Sequence, residues 1–456
     1  MKINSNSDEP PSSRLKNFLK GNLKKYLVFL LHLSPYQNLT FTVFLYTIIG
    51  WVLLSIPFIS NNGVSLLDNL FTSASAVTTT GLNSVNFANS YTFFGKVVVL
   101  LIIQACGIGY MTITSFLHLS LSQRIAHRHK EVLNVEFSLP NNLRLKDFLK
   151  AVVTFTLLVE ITGAVFLFNY FNHHGYGFWQ SLYYGVFHSI SAFCTAGFSL
   201  FPNSLESFAD SKTINIVISI LSLCGAIGFI VVTDLFNRVT RKTTAISYTT
   251  KIILFATSIM LVFGTFFIYI TNNINLAESF FQTMSAMTTV GFNTTSMQTM
   301  SLASVLILIV LMCIGASPSG TGGGIKTTAV TAVMAVVYNR IKGSEQITFL
   351  GRRIPLVRLY IATSTFIFYV LVLFVSVFLL ACTEKATLAD LLFEAASALG
   401  TVGLSRGITE DLSVLGKIII IFTMIIGRVG VITFGMSLLR RQHQEPRACE
   451  REDLAV

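Results

Sequence analysis

Apolar runs long enough to cross a bilayer recur along the chain, at about residues 39–60, 96–120, 150–171, 212–236, 251–271, 301–340, 356–382 and 413–439. A spanning helix needs roughly 20 apolar residues. The pattern therefore predicts eight spans, the sixth of them interrupted. Between the two spans of each successive pair lies a shorter apolar stretch of about ten to thirteen residues, a length that reads as a re-entrant or core helix. The predicted unit is span, short helix, loop, span, repeated four times.

The short stretches share one phrase. Phe-x-x-x-Ser-Ala-x-x-Thr-x-Gly runs from Phe71 to Gly81, Phe187 to Gly197, Phe281 to Gly291 and Phe393 to Gly403. The phrases close on Thr79-Thr80-Gly81, Thr195-Ala196-Gly197, Thr289-Val290-Gly291 and Thr401-Val402-Gly403. Four copies in register suggest one unit repeated around a central axis. Four such loops meeting there would make a ring of backbone carbonyls, which is how a dehydrated monovalent cation is held. Glycine reaches positive φ without steric cost, so the chain can turn its oxygens inward. The threonine adds a hydroxyl and packs stiffly beneath. Three of the short helices open on a capping-box pattern, Ser65-x-x-Asp68, Asn275-x-x-Glu278 and Thr387-x-x-Asp390. The second repeat lacks a clean one. Such caps set each helix start near the membrane surface and its negative end at the axis, where a cation is favoured.

Composition agrees with a membrane protein. Of the 456 residues 52% are hydrophobic, 39 are Phe and only 12% are charged, about half the charged share of a soluble chain. By position, 25 of the 32 Lys and Arg fall in the N-terminal segment, about 121–150, 238–251, 340–358 and the C-terminus. That asymmetry predicts cytoplasmic termini and loops of the Thr-x-Gly phrases that open outward. It also accounts for the net charge of +11. The basic residues sit at span ends, not on one face, which argues against nucleic acid as a partner. Residues 1–25 read as a disordered arm followed by a basic surface helix, without a cleavable signal peptide. The six Cys (Cys106, Cys194, Cys224, Cys313, Cys382 and Cys449) show no pairing or metal rhythm and read as small apolar fillers.

The sixth span breaks at 315–326, which holds five Gly and Pro318. That stretch makes no stable helix. Non-helical backbone at membrane depth survives only against protein or a water-filled cavity; a cytoplasmic linker is the other reading. The Gly run at 320–324 lies inside a span, so it is a false phosphate-loop signal, and no nucleotide-binding motif or cofactor is expected. Charges set well inside the apolar runs include Arg428, Glu160 and Lys326. Arg428 costs roughly 2.5–3.5 kcal/mol at a helix centre on insertion scales, so it must face a cavity or a partner. Glu160 reads as a buried partner or a protonated acid away from the ion path. Lys326 is either a snorkelling residue or a contact of the broken stretch. His188 reads as a hydrogen-bonded core histidine.

Together these features resemble the membrane subunit of the Trk/Ktr/HKT potassium-transporter superfamily, over about residues 36–440. The resemblance implies an all-α polytopic membrane protein: four tandem helix–pore-loop–helix repeats around a pseudo-fourfold pore. The expected division is an N-terminal arm 1–35, repeat 1 at 36–120, a cytoplasmic loop and repeat 2 at 121–236, repeat 3 at 237–340, repeat 4 at 341–440 and a tail 441–456. Gly at all four filter positions implies potassium; Ser in the first would go with sodium. The filter set is then Thr79, Thr80, Gly81, Thr195, Ala196, Gly197, Thr289, Val290, Gly291, Thr401, Val402 and Gly403. The resemblance makes 315–326 an intramembrane loop blocking the pore below the filter, with Gly315, Ser317, Gly320, Gly322, Gly323, Gly324, Lys326 and Arg428 as gate residues. For Arg428 a structural ion pair stays open beside the gate role.

The short segment before the first span brings the chain nearest the Ktr type. That type implies potassium uptake at the cytoplasmic membrane by a homodimer seated on a ring of cytosolic nucleotide-binding regulatory subunits. Arg124 to Lys130 and Arg352-Arg353 are the expected docking loops. Sodium stays open as an activator or coupling ion, and a sodium-permeable or poorly selective transporter is the alternative. A polytopic enzyme finds little beyond Glu160 and Arg428 to work with. Inverted repeats are disfavoured because the four phrases run the same way.

Overall fold

The computed structural model describes residues 33–61, 63–109, 145–241 and 245–439. Each repeat begins with a long apolar outer helix: α1 (Pro35–Leu54), α4 (Leu145–His173), α8 (Tyr248–Thr271) and α12 (Leu356–Thr383). All four have the length and composition of membrane spans. Their outward faces carry large apolar side chains such as Leu158, Phe166, Phe263, Phe374 and Phe378, as lipid contact requires. The chain is a multi-pass membrane protein.

A short helix follows each outer helix: α2 (Leu66–Val77), α5 (Phe178–Phe193), α9 (Leu276–Thr288) and α13 (Leu388–Gly400). Ser65, Asn275 and Thr387 cap three of them, accepting from the backbone N–H of Asp68, Glu278 and Asp390. The fourth start, at Gly177, has no side-chain cap. The phrase phenylalanines Phe71, Phe187, Phe281 and Phe393 are wholly buried, as are most residues of the two turns after them. The core of the molecule is therefore a ring of short helices enclosed by longer ones.

The inner helices depart from the expected straight spans. They are α3 (Phe93–Gly107), α6 with α7 (Lys212–Ile227 and Phe229–Val239), α10 with α11 (Leu302–Cys313 and Thr327–Ile341) and α14 with α15 (Val414–Val429 and Val431–Leu438). The 212–236 run is not one helix: it bends by 95° at Gly228, and the 413–439 run bends by 100° at Gly430. Gly109, Gly228 and Gly430 have φ of +90°, +92° and +88°, a backbone state that ends a right-handed helix and that glycine adopts without penalty. The third inner helix breaks over 314–326 instead. The continuation of the first beyond Gly109 lies outside the described residues, as do most of the N-terminal arm and the C-terminal tail.

Among the described residues the helices are joined by one small sheet. Strands β1 (Thr348–Phe349) and β2 (Arg352–Arg353) form an antiparallel hairpin between repeats 3 and 4, pairing Thr348 with Arg353. Tyr248 donates its hydroxyl to the Phe349 carbonyl at 2.6 Å. Arg352 and Arg353 are exposed there. The other expected docking stretch, Arg124 to Lys130, lies outside the described residues.

Candidate filter and the loop beneath it

Each short helix ends in the same turn. The first threonine of each Thr-x-Gly takes a left-handed conformation, φ +50° at Thr79, +51° at Thr195, +59° at Thr289 and +51° at Thr401. That is unusual for a β-branched residue and costs on the order of 1–3 kcal/mol. Hydrogen bonds back to the helix hold it. The N–H of Thr80, Ala196, Val290 and Val402 donates to the carbonyl of the phrase serine at 2.8–3.1 Å, identically in all four repeats. The serine hydroxyls close the turn from the other side. Ser75 and Ser397 accept from the N–H of Gly81 and Gly403, both at 3.0 Å. Ser191 and Ser285 donate to the carbonyls of Phe198 and Phe292 at 2.8 and 2.5 Å. The sequence shows these serines as identities; only the structure gives them this work.

The four loops meet in chain order. A Cβ added at Gly81 would strike the carbonyl oxygen of Ala196, one at Gly197 that of Val290, and one at Gly291 that of Val402. One at Gly403 would strike that of Thr80, which closes the circle. All four glycines have positive φ. Each of these glycines therefore makes room for the neighbouring repeat's carbonyl. The threonines at this level are buried, and the hydroxyls of Thr289 and Thr401 have no hydrogen-bond partner. Desolvated oxygens converging on one axis are the donor set that suits a cation stripped of water.

Directly below, the 314–326 loop meets three of the four threonines, and Arg428 of α14 meets the fourth. The Thr321 hydroxyl lies 3.1 Å from that of Thr195. A Cβ at Gly322 would strike Thr289 Oγ1, and one at Gly323 would strike Thr401 Oγ1. Arg428 Nη1 donates to Thr79 Oγ1 at 2.9 Å. Arg428 also donates to the carbonyls of Thr321 in the loop and Cys106 at the end of α3. It sits in the last turn of α14, before the bend at Gly430, so it lies at a helix end and not in the middle of a continuous span. The negative end of that helix favours its charge.

The loop is docked on the bend of the second inner helix. Ser317 bonds to the carbonyls of Ala226 and Ile227. Thr321 N–H donates to Gly225 at 3.1 Å, and Phe229 N–H donates to Ser319 at 3.2 Å. A Cβ at Gly228 or Gly320 would collide with this junction, and one at Gly315 or Gly324 with the loop's own backbone. Lys326 folds back to the Gly322 carbonyl at 2.7 Å. On the side of the loop away from the filter is a cavity of about 610 Å3, lined among others by Gly322, Lys326, Arg358 and Arg428.

Glu160 and His188, two more of the buried ionisable groups, make their contacts away from the four Thr-x-Gly loops' shared threonines. Glu160 accepts from the Gln104 amide at 2.8 Å, and the Cys194 thiol lies 3.7 Å from its other oxygen. Cys194 is thus not the simple apolar filler expected. His188 lies 2.8 Å from the Tyr184 carbonyl and accepts from Leu200 N–H at 3.3 Å. Among the described residues all cysteines are free and no group of His, Cys, Asp and Glu is placed to hold a metal ion.

The chain matches known proteins along nearly its whole length. A family model described as the cation transport protein TrkH matches residues 23–273 and 248–447. The Ktr system potassium uptake protein B of Vibrio alginolyticus is 34% identical over 403 residues, covering 85% of this chain and 88% of its own. The potassium/sodium uptake protein NtpJ of Enterococcus hirae is 31% identical over 425 residues, covering 89% and 93%. In fold, the chain matches the crystal structure of the potassium transporter TrkH from Vibrio parahaemolyticus with a TM-score of 0.71 at 20% identity, over 89% of this chain and 84% of that one.

Proposed function

Because the chain belongs to the TrkH family of cation transport proteins, an ion transporter and not an enzyme, we propose that it takes up potassium across the cytoplasmic membrane. The ion would pass through the ring made by Thr79 to Gly81, Thr195 to Gly197, Thr289 to Gly291 and Thr401 to Gly403. The observation that carries this reading is the closed circle in which each filter glycine accommodates the next repeat's carbonyl. A ring of that kind replaces the hydration shell of a monovalent cation.

In this reading the 315–326 loop and Arg428 form the gate. The loop meets Thr195, Thr289 and Thr401, and the guanidinium meets Thr79 beneath the ring. Two like unit charges about 5 Å apart repel by roughly 3 kcal/mol at an effective dielectric of about 20. An ion therefore passes only when loop and guanidinium move aside into the cavity below. The two relatives named for the Ktr system and NtpJ support potassium as the cargo, and the second, named for both ions, keeps a sodium-permeable transporter as the alternative. The resemblance to the Ktr type further supports a homodimer with cytoplasmic termini, controlled by a cytosolic ring of nucleotide-binding subunits. Sodium would enter as an activator or coupling ion.

Flux from proteoliposomes tests the reading. Potassium is expected to move well above sodium, and to move faster once the regulatory ring and its nucleotide are added. Equal flux of the two ions would favour the alternative, and no flux of either would overturn both.

A further inference from the structure

The residue after the phenylalanine of each phrase is polar and fully buried: Thr72, His188, Gln282 and Glu394. One turn earlier on the same helix face stand Asp68, Tyr184, Glu278 and Asp390. In repeats 2 to 4 both positions face the segment that follows the filter glycine. In repeat 4, Glu394 accepts from the Ser405 hydroxyl at 2.9 Å and from that of Thr409, while Asp390 accepts from Arg406 Nε at 2.6 Å. In repeat 3, the Gln282 amide meets the Thr294 hydroxyl at 3.1 Å and, with its oxygen and nitrogen exchanged, accepts from the N–H groups of Thr294 and Thr295 at 3.0 and 3.1 Å, while Glu278 accepts from the Thr295 hydroxyl at 3.1 Å. In repeat 2, His188 accepts from Leu200 N–H and stacks on Phe201 with centroids 5.0 Å apart, and the Tyr184 ring meets the same Phe201. In repeat 1, Asp68 alone makes the connection, accepting from Ser84 at 2.7 Å; the Thr72 hydroxyl has no hydrogen-bond partner.

We propose that these paired positions are positioning residues for ion selectivity, and that Glu394 is the strongest of them. The phrase serines fix the filter loop where it leaves the helix. The paired positions fix it where it returns to the mouth, so each carbonyl is held between two anchors. Filling the core would not need four different polar side chains at one buried position, because a buried polar group is costly unless its bonds are made. All but Thr72 make theirs to the same stretch of chain. Selectivity depends on carbonyl placement to within about half an ångström, so loosening one anchor should change which ion is accepted before it changes whether the protein folds.

This inference rests on the reading of the ring as a potassium filter. The test compares potassium and sodium flux in proteoliposomes for the parent, Glu394→Gln and Glu394→Leu. Gln keeps one acceptor for one hydroxyl and its NH2 can donate to the oxygen of the other, so both links persist and the potassium/sodium ratio should stay within about twofold of the parent. Leu keeps the volume and loses the acceptors, so the ratio should fall by about tenfold, with the protein still folded by size exclusion. A folded Leu variant with the parent's ratio overturns the proposal. If Glu394→Leu does not fold, the double variant Ser405→Ala with Thr409→Val removes the donors from the other side; an unchanged ratio there overturns it equally. A parent without selective potassium flux would instead sink the filter reading itself, and the two failures are distinguishable.

Discussion

At the scale of single residues, the ring leaves no room at its glycines. At Gly81 a side chain must both occupy a positive φ and displace the Ala196 carbonyl. Gly81→Ser should therefore lower the potassium/sodium flux ratio by about an order of magnitude, measured in proteoliposomes on protein that still elutes as folded. An unchanged ratio would remove Gly81 from the filter. At the rim, burial opposes ionisation of Asp390, but its bonds to Thr387 and Arg406 and the charge of Arg406 outweigh it and hold the carboxyl below its ordinary value. A depressed native pKa stabilises the fold above the unfolded value, and that contribution is lost as pH falls through the native one. The melting temperature of Asp390→Asn should lie below the parent's at neutral pH, and the gap should close in acid. A gap that does not change with pH would mean the Arg406 pair contributes nothing to stability.

The Thr-x-Gly residues were legible in the sequence because four copies in register repeat the same letters. The residues that brace them were not. Thr72, His188, Gln282 and Glu394 share a position and a direction but no chemistry, so no repeated letter marks them. The phrase serines carried a repeated letter but no visible role, because one hydroxyl accepts in repeats 1 and 4 and donates in repeats 2 and 3.

At the scale of elements, the middle of the 314–326 loop, Ser317 to Gly324, is held by hydrogen bonds to the bend at Gly228 and by Arg428, while apolar packing of Ile325 with Tyr369, Leu399 and Val431 fixes its end. Such a segment moves by exchanging a few polar contacts. Deleting Gly320 to Gly323 should raise potassium flux in the absence of any regulatory partner, since the chain that meets Thr289 and Thr401 from below would be gone. A loop that merely joined α10 to α11 would respond the other way, with strained helices and less flux. Flux from the folded deletion variant decides between them. The interruption of the sixth span was plain in the sequence from its Gly content. The right-angle bends at Gly228 and Gly430 were not, because one glycine in an apolar run is compatible with a continuous membrane helix. At Gly228 the bend is fixed by backbone packed beside it that lies ninety residues away, at Pro318.

At the scale of the whole molecule, four span–short helix–span units could be counted from hydropathy alone, and their circular closure could not. Closure is a relation between distant residues. Gly403 meets the Thr80 carbonyl exactly as its counterparts meet theirs, and the Gln37 amide donates to the Ser437 carbonyl at 3.2 Å. The first described helix therefore lies against the last. In topological terms the molecule is a necklace whose clasp happens to fall between the fourth bead and the first. The clasp should be movable. A circular permutant opened in the exposed turn between Gly343 and Ser344, with the present terminal segments joined, keeps every contact described above. It should fold and retain the parent's potassium/sodium flux ratio. A chain cut between Thr78 and Thr79 keeps the same composition but severs a short helix from its filter loop, and it should lose the ratio entirely. Should the first permutant also lose it, the order in which the repeats are made would matter as much as the ring they form.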